Sequence, residues 1–508
     1  MTAHRREGDK LGGTCLHRGC IPTKALLHSA EVADTVRESG TFGVLITFGS
    51  IDMSGVHAFK DFVVGRLSKG LQGLVSSRKI DVITGWGRLV DPDTVEVDGI
   101  QYRGTNVVLA TGSCARSLPG LEIGGRIITS EQALELDRVP PSVIVLGGGV
   151  IGVEFASVWK SLGADVTIVE GLPRLVPGED EALSKGLERA FRKRKIAFHT
   201  DTMFAGATQS DDGVVVTTQD GKTLEAELLL VAIGRGPATA DLGYAENGIP
   251  MDRGFVLTDE RLHTGVGNVY AIGDIVPGLQ LAHRGFQHGI FVAEQIAGQN
   301  PAPIIESGIP RVTYCEPQIG SVGLTEAQAR ERYGADRVEI AEYNLAGNAK
   351  SQMLQTAGFI KLVRETDGPI VGVHMLGARV GELIGEGQMM VNWEAYPDDV
   401  ARLVHAHPPR TTPSVRPHSP SPANPCTRTT DGGPVSPAPF SPHPLASCHP
   451  PQLSRNGTSV MAASSARVAA KLELRAAGAE HHLHGADDRL GAVAGRQPHG
   501  RTCRRNDG

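Results

Sequence analysis

An α/β fold with two similar nucleotide-binding domains is what this sequence predicts, and three observations predict it. The segment VIVLGGGVIGVEFASVWKSLGADVTIVEG (143–171) is a β-branched run, a glycine turn, a helix-like stretch and a second β-branched run. The segments DTVEVDGIQYRGTNVVLATG (93–112) and VVVTTQDGKTLEAELLLVAIG (214–234) each read as a hairpin with an Asp-Gly turn, feeding a buried strand that ends in glycine. That repeated unit points to two related domains. Thirdly, composition changes near residue 408. Fourteen of the 31 prolines fall in 409–508, which has no Ile, Trp or Tyr and one Phe. Ordering a backbone costs about 1–2 kcal/mol per residue, and this tail has too little apolar surface to offset it. It is expected to be disordered, apart from a short helix at 464–480.

At 508 residues the chain has length for two to four domains and a sizeable core. A formal net charge of −6 argues against a dedicated nucleic-acid binder, which would be basic. No apolar run reaches the roughly 18 residues of a membrane span. The opening MTAHRREGDK lacks a signal-peptide core. A soluble, cytoplasmic protein is expected. Seven scattered cysteines are too few for a disulfide scaffold, so a close pair suggests redox or metal chemistry.

Gly147, Gly149 and Gly152 form G-x-G-x-x-G between an apolar strand and a helix, and the next strand ends in Glu170. This is the full dinucleotide fingerprint. Gly147 permits the tight turn, Gly149 lets backbone approach a pyrophosphate, and Gly152 lets helix pack on strand, with the helix N-terminus facing the anion. Glu170 can accept hydrogen bonds from a ribose 2′-OH and would repel a 2′-phosphate, which favours NAD over NADP. A purely structural glycine turn is the competing reading.

Cys15 and Cys20 stand in LGGTCLHRGCIPTKALL (11–27). A metal site would want two more ligands at finger-like spacing, and none is near, so no metal is expected. A buried structural pair competes with a redox pair. Gly12 and Gly13, which allow close backbone approach to a ligand, favour the redox reading. So does a helix beginning near Pro22, whose N-terminal end would lower a thiolate pKa.

GGTCLHRGCIPTKALL (12–27) resembles the active-site segment of the flavoprotein disulfide reductases, the class I pyridine nucleotide-disulfide oxidoreductases, most closely those that oxidise dihydrolipoamide. The resemblance runs from about Glu7 to Pro408. VVLATGS (107–113) and VAIGRGP (231–237) look like the strand ends of the two nucleotide domains. VYAIGDIVPGLQLAHRGFQHG (269–289) is similar to the second flavin-binding motif, and VNWEAYPDDVARLVHAHP (391–408) resembles the catalytic-histidine segment.

The resemblance implies an FAD-binding domain at 1–138, an NAD-binding domain at 139–262, a central segment at 263–305 completing the FAD site, and an α+β dimerisation domain at 306–408. It implies that Cys15 exchanges with dihydrolipoamide and that Cys20 lies against the flavin. Lys24 would sit near the flavin ring and pair with Glu154. Asp274 would bond the ribityl chain, and Glu7 the adenosine ribose. His407 would be the base, reaching the cysteines of the partner subunit in a homodimer. Gly12, Gly13, Thr14, Thr111, Gly112, Gly234 and Ala282 complete the expected cofactor-binding set. The expected partner is the lipoyl domain of a 2-oxoacid dehydrogenase complex. The chemistry agrees: thiolate attack needs a base, and a disulfide exchanges hydride poorly with NAD, so a flavin must mediate.

Two positions depart from the family pattern. Only MTAHRR precedes Glu7, where the family places a strand, a G-x-G-x-x-G turn and a helix. A flavin domain lacking its first βαβ unit is therefore expected. Position 412 is Thr412, where the family has a glutamate that orients the histidine. The family's C-terminal run, read one base out of frame in GC-rich codons, gives a string close to PSVRPHSPSPA (413–423), so an out-of-frame tail is expected. Alternative readings are an inactive remnant that keeps only an NAD-binding module, or another flavin disulfide reductase. A glutathione-type enzyme would want basic residues where Glu170 stands. A mercuric-type one would want a C-terminal cysteine pair closer than Cys426 and Cys448. Cys114 and Cys315 are expected to be buried free thiols.

Overall fold

The structure is a computed structural model describing residues 2–4 and 10–407, with side chains from Lys10 onward. Glu7, the tail at 409–508 and its expected helix at 464–480 lie outside the described residues.

The middle of the chain is a five-stranded parallel sheet. Its order from one edge is Ala197–His199, Asp165–Val169, Ser142–Leu146, Leu228–Val231 and Ile127–Thr129. Ser142–Leu146 is apolar without alternation because both faces are covered. Val143 and Val145 join the cluster built on the helix Val150–Leu162, whereas Ile144 and Leu146 join a second cluster with Val214 and Val216 of an antiparallel three-stranded sheet. Each such buried aliphatic side chain contributes about 1.5–3 kcal/mol. The helix buries Val153, Phe155, Val158 and Trp159. It stops at Gly163, whose φ of 115° places it in the left-handed region, where its N–H bonds back to Trp159 O.

The N-terminal region carries two long helices, Cys20–Glu38 and Met53–Ser77. Asp52 caps the second by accepting from Ser54 N at 3.0 Å. The 93–112 segment folds as a hairpin of Thr94–Val97 and Ile100–Arg103, with Asp98 and Gly99 both at positive φ as a type I′ turn requires. Val107–Leu109 then pairs in parallel with Val269–Ala271, and Thr2–His4 pairs in parallel with Val82–Thr84. Among the described residues no strand joins these two pairs into one sheet.

Residues 311–377 form a five-stranded antiparallel sheet ordered Arg311–Thr313, Gln318–Gly323, Ile370–Gly377, Phe359–Glu365, Val338–Asn344, with the helix Val380–Asn392 packed on it. A buried ion cluster ties it to the parallel-sheet region. Lys361 Nζ lies 2.7 Å from both Asp180 Oδ1 and Glu326 Oε2. Asp180 also caps the helix Glu181–Lys193 through Ala182 N at 3.0 Å. Removing one partner of a buried ion pair costs about 3–5 kcal/mol. Among the described residues no helix is long and apolar enough to cross a membrane. The architecture is mixed α/β, with a parallel-sheet region followed by an α+β region.

Candidate active site

The two cysteines sit on a broken helix. Gly12 (φ 100°) turns the chain into the short helix Gly13–His17, which carries Cys15. The chain kinks at Gly19, and Cys20 opens the helix Cys20–Glu38, two residues before Pro22 where sequence spacing puts its start. Thr23 holds that turn by donating from both N and Oγ1 to Gly19 O, at 3.1 and 2.7 Å. Both cysteines are free thiols, the reduced form of the expected redox pair. Cys15 donates a hydrogen bond to Cys20 sulfur. That bond pushes the Cys15 thiol far up and, with the nearby Lys24 ammonium, lowers Cys20 to about 6. The helix N-terminus at Cys20 acts in the same direction.

Cys20 is depressed from 9.0 to about 6, so its thiolate contributes stability fully above pH 9.0 that fades as pH falls through 6. With the reduced chain at neutral pH, iodoacetamide should label the peptide 19–24 well before the Cys15 peptide 11–18. Equal rates at the two sites, read by peptide mass spectrometry, would sink that assignment.

One helical turn after Cys20, Lys24 Nζ donates to Glu154 Oε1 and Oε2 at 2.9 and 2.7 Å. Glu154 is buried on the helix Val150–Leu162. Burial alone would depress Lys24, but the Glu154 carboxylate outweighs it and raises the ammonium above its ordinary value. Glu154 Oε1 also accepts from Tyr314 N at 2.8 Å, and the Tyr314 ring centroid lies 5.1 Å from Lys24 Nζ. Three distant segments thus converge on one carboxylate.

Asp274, in the single turn Gly273–Ile275, accepts from Ser113 Oγ at 2.6 Å, and its charge helps keep Cys15 protonated. Arg235 clamps Ser113 through Nε to Oγ at 2.8 Å and Nη2 to the carbonyl at 2.6 Å, and the same Nη2 reaches Thr14 Oγ1 at 3.5 Å. Thr111 Oγ1 meets Tyr244 Oη at 3.3 Å. Gly112 (φ 71°) and Gly234 (φ 107°) face open space. Ala282 begins the helix Ala282–Ile296, which has no acid in its first turn to oppose a phosphate. The open glycines, the Lys24 ammonium and the Asp274 carboxylate beside a dithiol fit the ring and ribityl end of a flavin. Ser113, Arg235 and Tyr314 are members of this site that sequence reading missed. The first two lie inside quoted motifs, but nothing local marks Tyr314.

In the glycine turn, a Cβ on Gly147 (φ 109°) would lie 2.5 Å from Ala232 O, and one on Gly152 would lie 1.9 Å from Gly147 O. A Cβ on Gly149 would meet nothing within 4 Å, which leaves room for a ligand. Glu170 braces the loop by accepting from Gly148 N at 2.6 Å and Leu172 N at 2.8 Å. The nearby Arg174 donates through Nη2 to Pro177 O at 2.9 Å and Glu179 O at 3.2 Å.

His407 is exposed, and among the described residues no hydrogen bond or ion pair joins it to Cys15 or Cys20. Its neighbour His405 meets Glu386 instead, Nε2 to Oε1 at 3.0 Å. Cys315 is buried as expected, but Cys114 is only half-buried. Among the described residues no group of three or more His, Cys, Asp or Glu side chains could hold a metal.

A cysteine pair backed by the Lys24–Glu154 ion pair, together with a separate dinucleotide turn, defines a nucleotide-dependent disulfide oxidoreductase, and the chain belongs to the pyridine nucleotide-disulphide oxidoreductase family. The family's main model matches residues 6–289 and its dimerisation-domain model matches 309–414. Among its relatives, the dihydrolipoyl dehydrogenase of Bacillus subtilis (strain 168) is 38% identical over 428 residues, covering 79% of this chain and 89% of that protein. The mitochondrial dihydrolipoyl dehydrogenase of Pisum sativum is 36% identical, covering 78% and 82%. Of solved structures, LpdA from Mycobacterium tuberculosis superposes with a TM-score of 0.73 at 27% identity, covering 79% of this chain and 89% of that one.

Proposed function

We propose that this chain is a homodimeric dihydrolipoyl dehydrogenase: dihydrolipoamide + NAD⁺ gives lipoamide + NADH + H⁺. The observation that carries the proposal is the Cys15–Cys20 pair set across the helix break at Gly19, with Lys24 paired to the buried Glu154 one helical turn on. In the oxidised pair a substrate thiolate attacks one sulfur and expels the other. Cys20 is the better leaving group because its thiolate is the more stable, so attack falls on Cys15 and leaves a mixed disulfide there. The second substrate thiolate then attacks its own bound sulfur, lipoamide departs, and Cys15 takes up a proton. Two electrons have moved from substrate to the cysteine pair. When bound, FAD supplies the two-electron relay from these thiols to the nicotinamide. Lys24, Asp274 with Ser113, Thr111, Gly112, Gly12, Gly13, Thr14 and Ala282 would hold it, with Glu7 at the adenosine end. Gly147, Gly149, Gly152, Glu170 and Gly234 serve NAD. His407 takes the substrate proton across the dimer.

The proposed division is an FAD domain at 1–138, an NAD domain at 139–262, a central segment at 263–305 and a dimerisation domain at 306–408. The natural substrate is the lipoyl group on a carrier domain of a 2-oxoacid dehydrogenase complex, in the cytoplasm. The test is NADH formation from dihydrolipoamide by the purified chain, together with its flavin absorbance. A yellow protein with turnover is expected. A colourless protein that binds NAD without turnover would instead support the NAD-binding remnant.

A further inference from the structure

Tyr314 belongs by sequence to the antiparallel-sheet region, yet it is built into the redox site. The strap it stands on is stitched to the helix Val150–Leu162. Tyr314 N donates to Glu154 Oε1 at 2.8 Å, and Glu316 N donates to Ser157 Oγ at 2.9 Å. Arg194 Nη1 spans Ser157 Oγ at 2.7 Å and Glu316 O at 3.1 Å, closing the seam. The intervening Cys315 is fully buried and points its sulfur at Pro317 O. With its backbone held on both sides, the half-buried ring keeps the Lys24 ammonium 5.1 Å from its centroid. Charged and titratable groups near the phenol are Lys24, Glu382, Glu154 and Cys20. Burial pushes the phenol up, so it remains neutral and its π face remains available to a cation.

We propose that Tyr314 is a positioning residue for the redox pair, its ring pinning the Lys24 ammonium against Glu154 so that the cation stays beside Cys20. The inference deepens the dithiol reading above. Among the described residues, the hydrogen bonds of the Lys24 ammonium go to Glu154, at the end of a long flexible stem. The ring restricts that stem from a second side, so the strap following the central segment sets the reactivity of a cysteine near the N-terminus. A ring that only filled space would stabilise the fold without touching Cys20.

The test is the pH dependence of iodoacetamide labelling of the peptide 19–24 in the reduced full-length chain, which requires neither turnover nor a bound cofactor. The wild-type midpoint is expected near 6. Tyr314→Leu should raise it by about half a unit to one unit, a roughly three- to tenfold loss of thiolate below the midpoint. Tyr314→Phe, which keeps the ring, should leave it unchanged. In a Lys24→Met background, where the peptide carrying Cys20 extends to Arg37, Tyr314→Leu should add nothing. Tyr314→Met, closer in volume, is read alongside and serves if the leucine variant does not fold. An unmoved midpoint in both ring-less variants, an equal shift in Tyr314→Phe, or a full shift persisting without Lys24 would each overturn the proposal. Dihydrolipoamide turnover of the wild-type chain decides the proposed reaction separately, so either reading can fall without the other.

Discussion

Cys15→Ser is expected to lower dihydrolipoamide-dependent NAD reduction by on the order of a thousandfold or more, the scale seen when a nucleophilic group is deleted. A serine oxygen cannot take part in thiol–disulfide exchange, so the substrate has no sulfur to attack. The same variant should retain reduction of an artificial dye by NADH, which needs no cysteine. It should also keep a reactive Cys20, because the serine hydroxyl replaces the Cys15 thiol as hydrogen-bond donor to that sulfur. The pairing of outcomes discriminates: loss of both activities would mean a fold or cofactor defect. Residual dithiol turnover near wild type would remove Cys15 from the exchange reaction.

The features legible in the sequence are those written in local pattern. The strand Ser142–Leu146 could be read because an uninterrupted apolar run is what a strand covered on both faces requires, and the structure covers it with different clusters on each side. The Asp98-Gly99 turn could be read because two consecutive positive φ values leave few residue choices. The helix break between the cysteines has a local mark too, Gly19, which stands immediately before the helix that Cys20 opens. Contacts set by topology were not legible. Arg235 and Ser113 are far apart in the chain, and their bond exists only because two strand ends, Ser113–Ala115 and Arg235–Pro237, pair antiparallel. Tyr314 meets Lys24 only because a loop between two sheet strands is laid along a helix from another region. Likewise the motif singles out His407, while the carboxylate contact seen is made by His405 with Glu386 of the packed helix, a partnership no spacing encodes.

Gly152→Ala is expected to lower NAD affinity by at least roughly a hundredfold and the melting temperature by several degrees. The added methyl would sit 1.9 Å from Gly147 O, and the obstacle is backbone carbonyl rather than a side chain that can swing aside. Relief requires the helix Val150–Leu162 to move off the strand Ser142–Leu146. Overpacking of this kind costs about 1–3 kcal/mol, and here it strains a helix whose inner face is packed with Val153, Phe155 and Trp159. The same movement carries the helix N-terminus away from the pyrophosphate and pulls Gly148 N from Glu170, so binding suffers more than stability. Gly149→Ala is the informative control. Its methyl meets nothing within 4 Å in the protein itself, so the fold should melt as wild type, while the methyl occupies the space a pyrophosphate needs. Thermal melts and NAD titration calorimetry on both variants separate the two effects. A Gly152→Ala chain that melts and binds NAD as wild type does would mean that this turn is not the dinucleotide site.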